Sequence, residues 1–245
     1  MEQVTKPKLT PVFALLEQAI KVWWKNLRKF VLVYLWGLLF TLIPLAVILL
    51  FFGLDSWLGP VNTLSFRLFG LAISVIGILL AFYFSVRTYI AIFLLVKKDY
   101  QGRELDIFKE SARSFWPYLG LVVLTTVFIL LWTLLLIIPG IIYSVFYSLA
   151  IYVFFFENKR GLAAIRRSIN LVSNYWWPVF GRFVVLGIAM WLFMMLISLP
   201  YSFVEEGSTF FHIWNVIIQI ISFLIGPIAL LFTYQIYQDL VKIKH

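Results

Sequence analysis

Long apolar runs alternate along this chain with short stretches in which polar and apolar residues recur at helical spacing. A helix that crosses a bilayer needs about 20 apolar residues. Six runs meet that length, at roughly 30–54, 67–96, 118–138, 141–157, 178–200 and 214–238. The third and fourth are parted only by Pro139-Gly140, and a proline that breaks a helix beside a glycine that turns it predicts a tight hairpin there. The fourth run is short, so it is expected to sit shallow or tilted.

The intervening stretches repeat. Val12, Leu16, Ile20, Trp23 and Leu27 make an apolar stripe opposed by Glu17, Lys21 and Lys25. Leu105, Phe108, Ala112 and Phe115 make a second, opposed by Asp106, Glu110 and Arg113. Leu162, Ile165, Ile169, Val172 and Trp176 make a third, with Arg166, Asn170 and Asn174 on another face. Steps of three and four are the period of an amphipathic helix. Each stripe closes on tryptophan (Trp23-Trp24, Trp116, Trp176-Trp177), and a proline follows 20 to 23 residues later at Pro44, Pro139 and Pro200. The unit predicted is a surface helix, a span, a proline-marked turn and a returning span, used three times. Basic helices with tryptophan at the lipid boundary lie in the headgroup plane, so helices near 9–28, 104–116 and 160–175 are expected along the membrane surface.

Composition agrees with lipid as the solvent. Of 245 residues, 63% are hydrophobic and 13% charged, against roughly 45–50% and about 25% in a soluble domain. The fold class expected is all-α: an integral membrane bundle of six transmembrane helices with cytoplasmic-face amphipathic helices and a threefold helix-hairpin repeat. Its parts are an amphipathic segment over 1–29, the six-span domain over 30–238 and a tail over 239–245. The first 29 residues lack the uninterrupted apolar core of a cleavable signal peptide.

The net charge of +9 matters by its placement rather than as a sign of nucleic acid. Seventeen of the twenty lysines and arginines fall on one side: before the first span, in the 97–116 and 157–177 connections and in the tail. The opposite loops hold Asp55, Glu205 and Glu206, with Arg67 their nearby base. By the positive-inside rule both termini are cytoplasmic, which places the chain in the cell (inner) membrane. Its expected partners are anionic lipid headgroups on that face and a membrane protein, with no nucleic acid. There is no cysteine, and His212 and His245 stand far apart, so no cofactor, thiolate site or metal site is expected.

Residues 137–183, "IIPGIIYSVFYSLAIYVFFFENKRGLAAIRRSINLVSNYWWPVFGRF", and the closing "YQIYQDL" (234–240) resemble the membrane domain attached to some glycerophosphoryl diester phosphodiesterases and found alone in many bacterial proteins. The shared features are the Ile-Pro-Gly break, an aromatic returning span, an acidic residue here at Glu157, Gly161, and an Ala-x-x-x-Ser helix from Ala164 to Ser168. The first half matches in layout alone. In the fused proteins the chemistry belongs to a separate soluble barrel, for which this chain has no room, so diesterase activity does not carry over.

Individual candidates stand beside plainer readings. Arg87 lies ten residues before Lys97, about 15 Å along a helix from that end. It is expected to reach back to the headgroups or to pair with Glu157 or Asp239, and a substrate or ion role is the alternative. Its face points roughly 120° from the small stripe Gly70, Ser74, Gly77, Ala81 and Ser85, the natural close-packing face. Ser144, Ser148 and Tyr152 recur every four residues and are expected to look into the bundle, with a polar pore lining as the alternative. Glu157, Asn158 and Gly161 are expected to end the fourth span and start a surface helix. No acid has the partner that a catalytic carboxylate needs, so no catalytic residue is assigned. The function expected is that of a non-enzymatic multi-pass scaffold that contacts lipid or anchors a partner. A small transporter or channel is the alternative, and a membrane enzyme acting on lipid or isoprenoid substrates the third reading.

Overall fold

The computed structural model describes residues 9–58, 64–205 and 207–244. Glu206 and the first lysines of the charge reading above (Lys6 and Lys8) lie outside them, as does His245 of the metal reading. The described residues form nine α-helices and no strand: α1 (Val12–Lys25), α2 (Leu27–Leu58), α3 (Leu64–Lys97), α4 (Glu104–Leu135), α5 (Ile137–Tyr147), α6 (Ala150–Glu157), α7 (Gly161–Val172), α8 (Trp176–Ser198) and α9 (Thr209–Ile243). A short 3-10 turn, Leu199–Phe203, follows α8. Among the described residues six stretches are long and apolar enough to cross a membrane: Leu27–Gly53, Phe66–Lys97, Glu104–Leu135, Ile137–Glu157, Trp176–Tyr201 and Thr209–Ile243. The protein is an all-α, multi-pass membrane protein.

Contacts divide the chain into two compact units, Arg28–Tyr118 and the combination of Met1–Leu27 with Leu119–His245. Within each, burial gathers at the basic ends of the helices. In the first unit Phe30, Val33 and Tyr34 of α2 and Ile90–Val96 of α3 are buried, while Leu38, Leu42, Leu49, Leu71 and Ile78 are exposed. In the second, α9 is buried at positions from Pro227 to Leu240 and exposed at Phe210, Ile213 and Val216. Helices of 32 to 35 residues are about 50 Å long, against a hydrocarbon core of about 30 Å. Untilted, each extends well beyond the oil. The exposed apolar faces need lipid, whereas the basic ends bury one another.

The three predicted prolines behave differently. Pro200 lies in the 3-10 turn, as expected for a span end. Pro44 does not end its span, because it sits inside α2, which runs on to Leu58. A proline removes one ladder bond, which a long apolar helix supported by neighbours tolerates. The hairpin expected at Pro139-Gly140 turns instead at Leu136, whose backbone is extended (φ -161°, ψ 139°). Pro139 then falls in the first turn of α5, where its missing N–H costs nothing. Gly140 serves packing, since a Cβ there would lie 3.0 Å from the Cα of Thr133 on α4.

The three surface helices also diverge. The first and third are separate elements, and each ends near an asparagine. The Asn26 side chain and N–H both return to the carbonyl of Val22, and Asn174 takes a left-handed backbone (φ 69°), a conformation asparagine tolerates. The second is not separate: residues 104–116 continue into α4 through Pro117. No glycine or asparagine stands before that proline to break the helix. Nor does α1 lie across the last span. Thr10 meets Asp239 and Trp23 meets Leu224, so α1 runs antiparallel along α9.

Candidate functional site

The fourth span is two short helices. α5 and α6 meet at Ser148-Leu149, a two-residue turn that interrupts the helical ladder while both residues keep right-handed angles (Leu149 φ -95°, ψ 0°). At 11 and 8 residues, or about 16 and 12 Å, neither crosses a bilayer alone. Breaking a helix in an apolar setting frees carbonyls that must find donors. Ser168 of α7, fully buried, donates its hydroxyl to the carbonyl of Phe146 at 2.6 Å. Trp176 donates its indole N–H to the carbonyl of Ile142 at 3.0 Å. Ser168 therefore acts as a hydrogen-bond donor to a broken span. Ser144 and Ser148 are half-buried and donate their hydroxyls to the carbonyls of Ile141 and Val145. Tyr152 reaches across to the carbonyl of Leu230 on α9 at 3.0 Å.

Where α6 ends, Asn158 takes a left-handed backbone (φ 56°) and Gly161 (φ 51°) opens α7, as the sequence predicts. Glu157 accepts from both sides. The Arg167 Nε lies 3.1 Å from each carboxylate oxygen, Lys159 Nζ lies 2.8 Å from one, and the Tyr237 hydroxyl donates at 3.3 Å. Beyond it, Lys244 caps the end of α7, donating to the carbonyls of Asn170 and Ser173 and to the Ser173 hydroxyl. A cation there suits the negative end of the helix dipole. Burial, with the Arg167 guanidinium nearby, holds the Lys244 ammonium below the ordinary lysine range.

Arg87 is only 9% exposed, so it does not reach the surface as expected but bonds inside its own unit. Its Nε donates to the Ser111 hydroxyl at 3.1 Å and its Nη2 to the Phe108 carbonyl at 2.6 Å, both on α4. Its guanidinium also stands 4.6 Å from the Phe108 ring centre and 5.3 Å from that of Tyr83. Among the described residues no carboxylate pairs with it. Carbonyl oxygens and ring faces take the place of the counter-ion.

A second buried arginine escapes the sequence reading. Arg182, 7% exposed, lies on α8 and donates to the carbonyls of Pro178 (2.9 Å) and Thr10 (2.6 Å). The Thr10 N–H donates in turn to Asp239 at 3.1 Å. One peptide residue thus stands between a guanidinium and a carboxylate. The Arg182 Nε is buried without a partner among the described residues. Gln235, one turn before Asp239, turns its amide nitrogen to the Leu15 carbonyl (2.7 Å) and its oxygen to the Ala19 N–H (3.0 Å). The signal was available, since Arg182 is a charge inside an apolar run. Its place near the basic edge of that run hid it.

Chemically, each of these groups is held by its own neighbours. None of Arg87, Glu157 or Arg182 lines either of two apolar grooves, one between α2 and α3 and one formed by Ile138, Ile141, Ile142, Phe146, Trp176 and Trp177. Comparison with family models, with curated proteins and with solved structures finds no match to this chain.

Proposed function

We propose that this chain is a non-enzymatic membrane scaffold whose basic face, on the cytoplasmic side of the cell membrane, holds anionic lipid headgroups and anchors a membrane-protein partner. The observation that carries the reading is the engagement of the buried ionisable groups. Arg87 and Arg182 are spent on carbonyls and a hydroxyl, and Glu157 on Arg167, Lys159 and Tyr237, leaving the exposed cations Arg160 and Arg166 at and after the start of α7 to meet lipid. The kinship with the membrane domain of the diester phosphodiesterases and the threefold hairpin repeat belong to the same reading, since that domain carries no chemistry of its own in the fused proteins.

Reconstitution tests it. The purified chain in liposomes should gain thermal stability from anionic over zwitterionic lipid and should pass no ions or small solutes above the leak of empty vesicles. Solute flux abolished by both Arg87→Leu and Arg182→Leu, with stability kept, would put a transporter or channel in its place. Reporter fusions after Lys98 and Arg160 should read as cytoplasmic and one near Glu206 as external. An external signal at Arg160 would overturn the assigned face.

A further inference from the structure

The guanidinium edge of Arg182 that meets Thr10 is half used. Nε and Nη2 lie side by side on that edge, a two-donor fork that matches an acceptor with two oxygens. In Arg87 the same edge is filled, Nε by the Ser111 hydroxyl and Nη2 by the Phe108 carbonyl. In Arg182 Nη2 donates to the Thr10 carbonyl at 2.6 Å and Nη1 turns back to the carbonyl of Pro178. Its buried Nε has no partner among the described residues. One oxygen stands where the fork takes two.

Thr10 brings its N–H to the same place, 3.1 Å from an Asp239 oxygen. A single residue thus presents an acceptor to a cation and a donor to an anion, through its backbone alone. It sits outside the helix that follows. α1 starts at Val12 with Pro11 as its N-cap, and Thr10 is half-buried beside exposed Pro11. What fixes α1 lies further along: Gln235 bonds Leu15 and Ala19, and Trp23 bonds Leu224. Lifting Thr10 from Arg182 and Asp239 therefore leaves those contacts of α1 in place.

We infer that Arg182 and Asp239 form a binding site for the zwitterionic headgroup of phosphatidylethanolamine, one that the Thr10 peptide covers in this structure. With the headgroup bound, two phosphate oxygens take Nε and Nη2, and the ammonium donates to Asp239. A ligand with both charges keeps this partly buried pair neutral, whereas a headgroup with one charge does not. Depth selects a lipid over a solute. Pro178, whose carbonyl holds Nη1, and its neighbour Trp177, 74% exposed, lie in the first turn of α8. Tryptophan at the end of a span marks the headgroup level. The site is apart from Arg160 and Arg166, so its failure leaves the reading of their face untouched.

The test counts lipids bound to the full chain by native mass spectrometry from mixed micelles. Phosphatidylethanolamine should bind roughly tenfold more tightly than phosphatidylcholine, whose quaternary ammonium has no N–H for Asp239. Asp239→Asn still accepts from the Thr10 N–H, so the cover stays, yet it should weaken phosphatidylethanolamine binding by about tenfold. Phosphatidylglycerol, anionic and without an ammonium, should bind that variant as it binds the wild type. Thr10→Pro removes the N–H that holds the cover and should tighten phosphatidylethanolamine binding roughly three- to tenfold, the scale of one hydrogen bond no longer broken on binding. A chain that merely misfolds does not gain affinity. Equal binding of ethanolamine and choline lipids would overturn the site, as would a monodisperse Asp239→Asn chain that binds phosphatidylethanolamine like the wild type. Soluble glycerophosphoethanolamine that displaces the lipid at equal concentration would overturn the choice of a lipid as ligand.

Discussion

Two arginines are buried in this chain, and their surroundings differ in kind. Arg87 on α3 is held by a carbonyl, a hydroxyl and aromatic faces, with no carboxylate paired to it among the described residues. Arg182 on α8 is held by two carbonyls, feels Asp239 through the Thr10 peptide and keeps a bare Nε. Removing the first cation leaves neutral groups behind, and Ser111 still donates to the Phe108 carbonyl. Removing the second frees the Thr10 carbonyl and takes from half-buried Asp239 a cation that it feels across the Thr10 peptide. A buried charge is therefore judged by what its loss would strand.

The largest expected effect follows from that. Arg182→Met should lower stability by about 3 kcal/mol, the upper end for charged hydrogen bonds lost with the attraction to Asp239 added, as read from unfolding in mixed detergent micelles. Adding Asp239→Leu should give part of it back, and a strictly additive double mutant would break the account. Arg87→Met should cost less, about 1–2 kcal/mol for the charged hydrogen bonds lost. Arg87→Lys should recover little, because one ammonium cannot reproduce the planar fork. A loss at Arg87 equal to that at Arg182 would erase the distinction. Smallest is Ser111→Ala, about 1 kcal/mol, which leaves the Arg87 Nε as bare as that of Arg182 and thereby sharpens the comparison.

The spans and the α6–α7 corner were legible because they rest on local chemistry: runs of apolar length, and Asn158 and Gly161 at left-handed positions. What the arginines bond to was not. The acceptors of Arg87 are a backbone carbonyl and a serine 21 and 24 residues away, and a carbonyl has no letter in the sequence. A membrane charge can be recognised as costly from its neighbours, but its solvating oxygens depend on which helix comes to lie beside it. The same limit explains Gly140. Beside Pro139 it reads as a turn, yet its use depends on Thr133 of the preceding helix. Ser168 too was visible only as part of a family-like pattern, since the break it serves at Ser148-Leu149 has no proline or glycine to announce it.

The pairing of α1 with α9 has a consequence in time. Thr10 and Asp239 are 229 positions apart, so the first helix made cannot take its final place until the last has been threaded. At about 5–20 residues per second, the intervening chain takes roughly 11–46 s to synthesise. Throughout that interval α1 carries an apolar stripe, with Lys21 and Lys25 beside it, and lacks the surface that later buries Leu15 and Ala19. A nascent helix of that design rests on lipid headgroups. The flat surface helix that its sequence describes is then the state expected of α1 until α9 is in place.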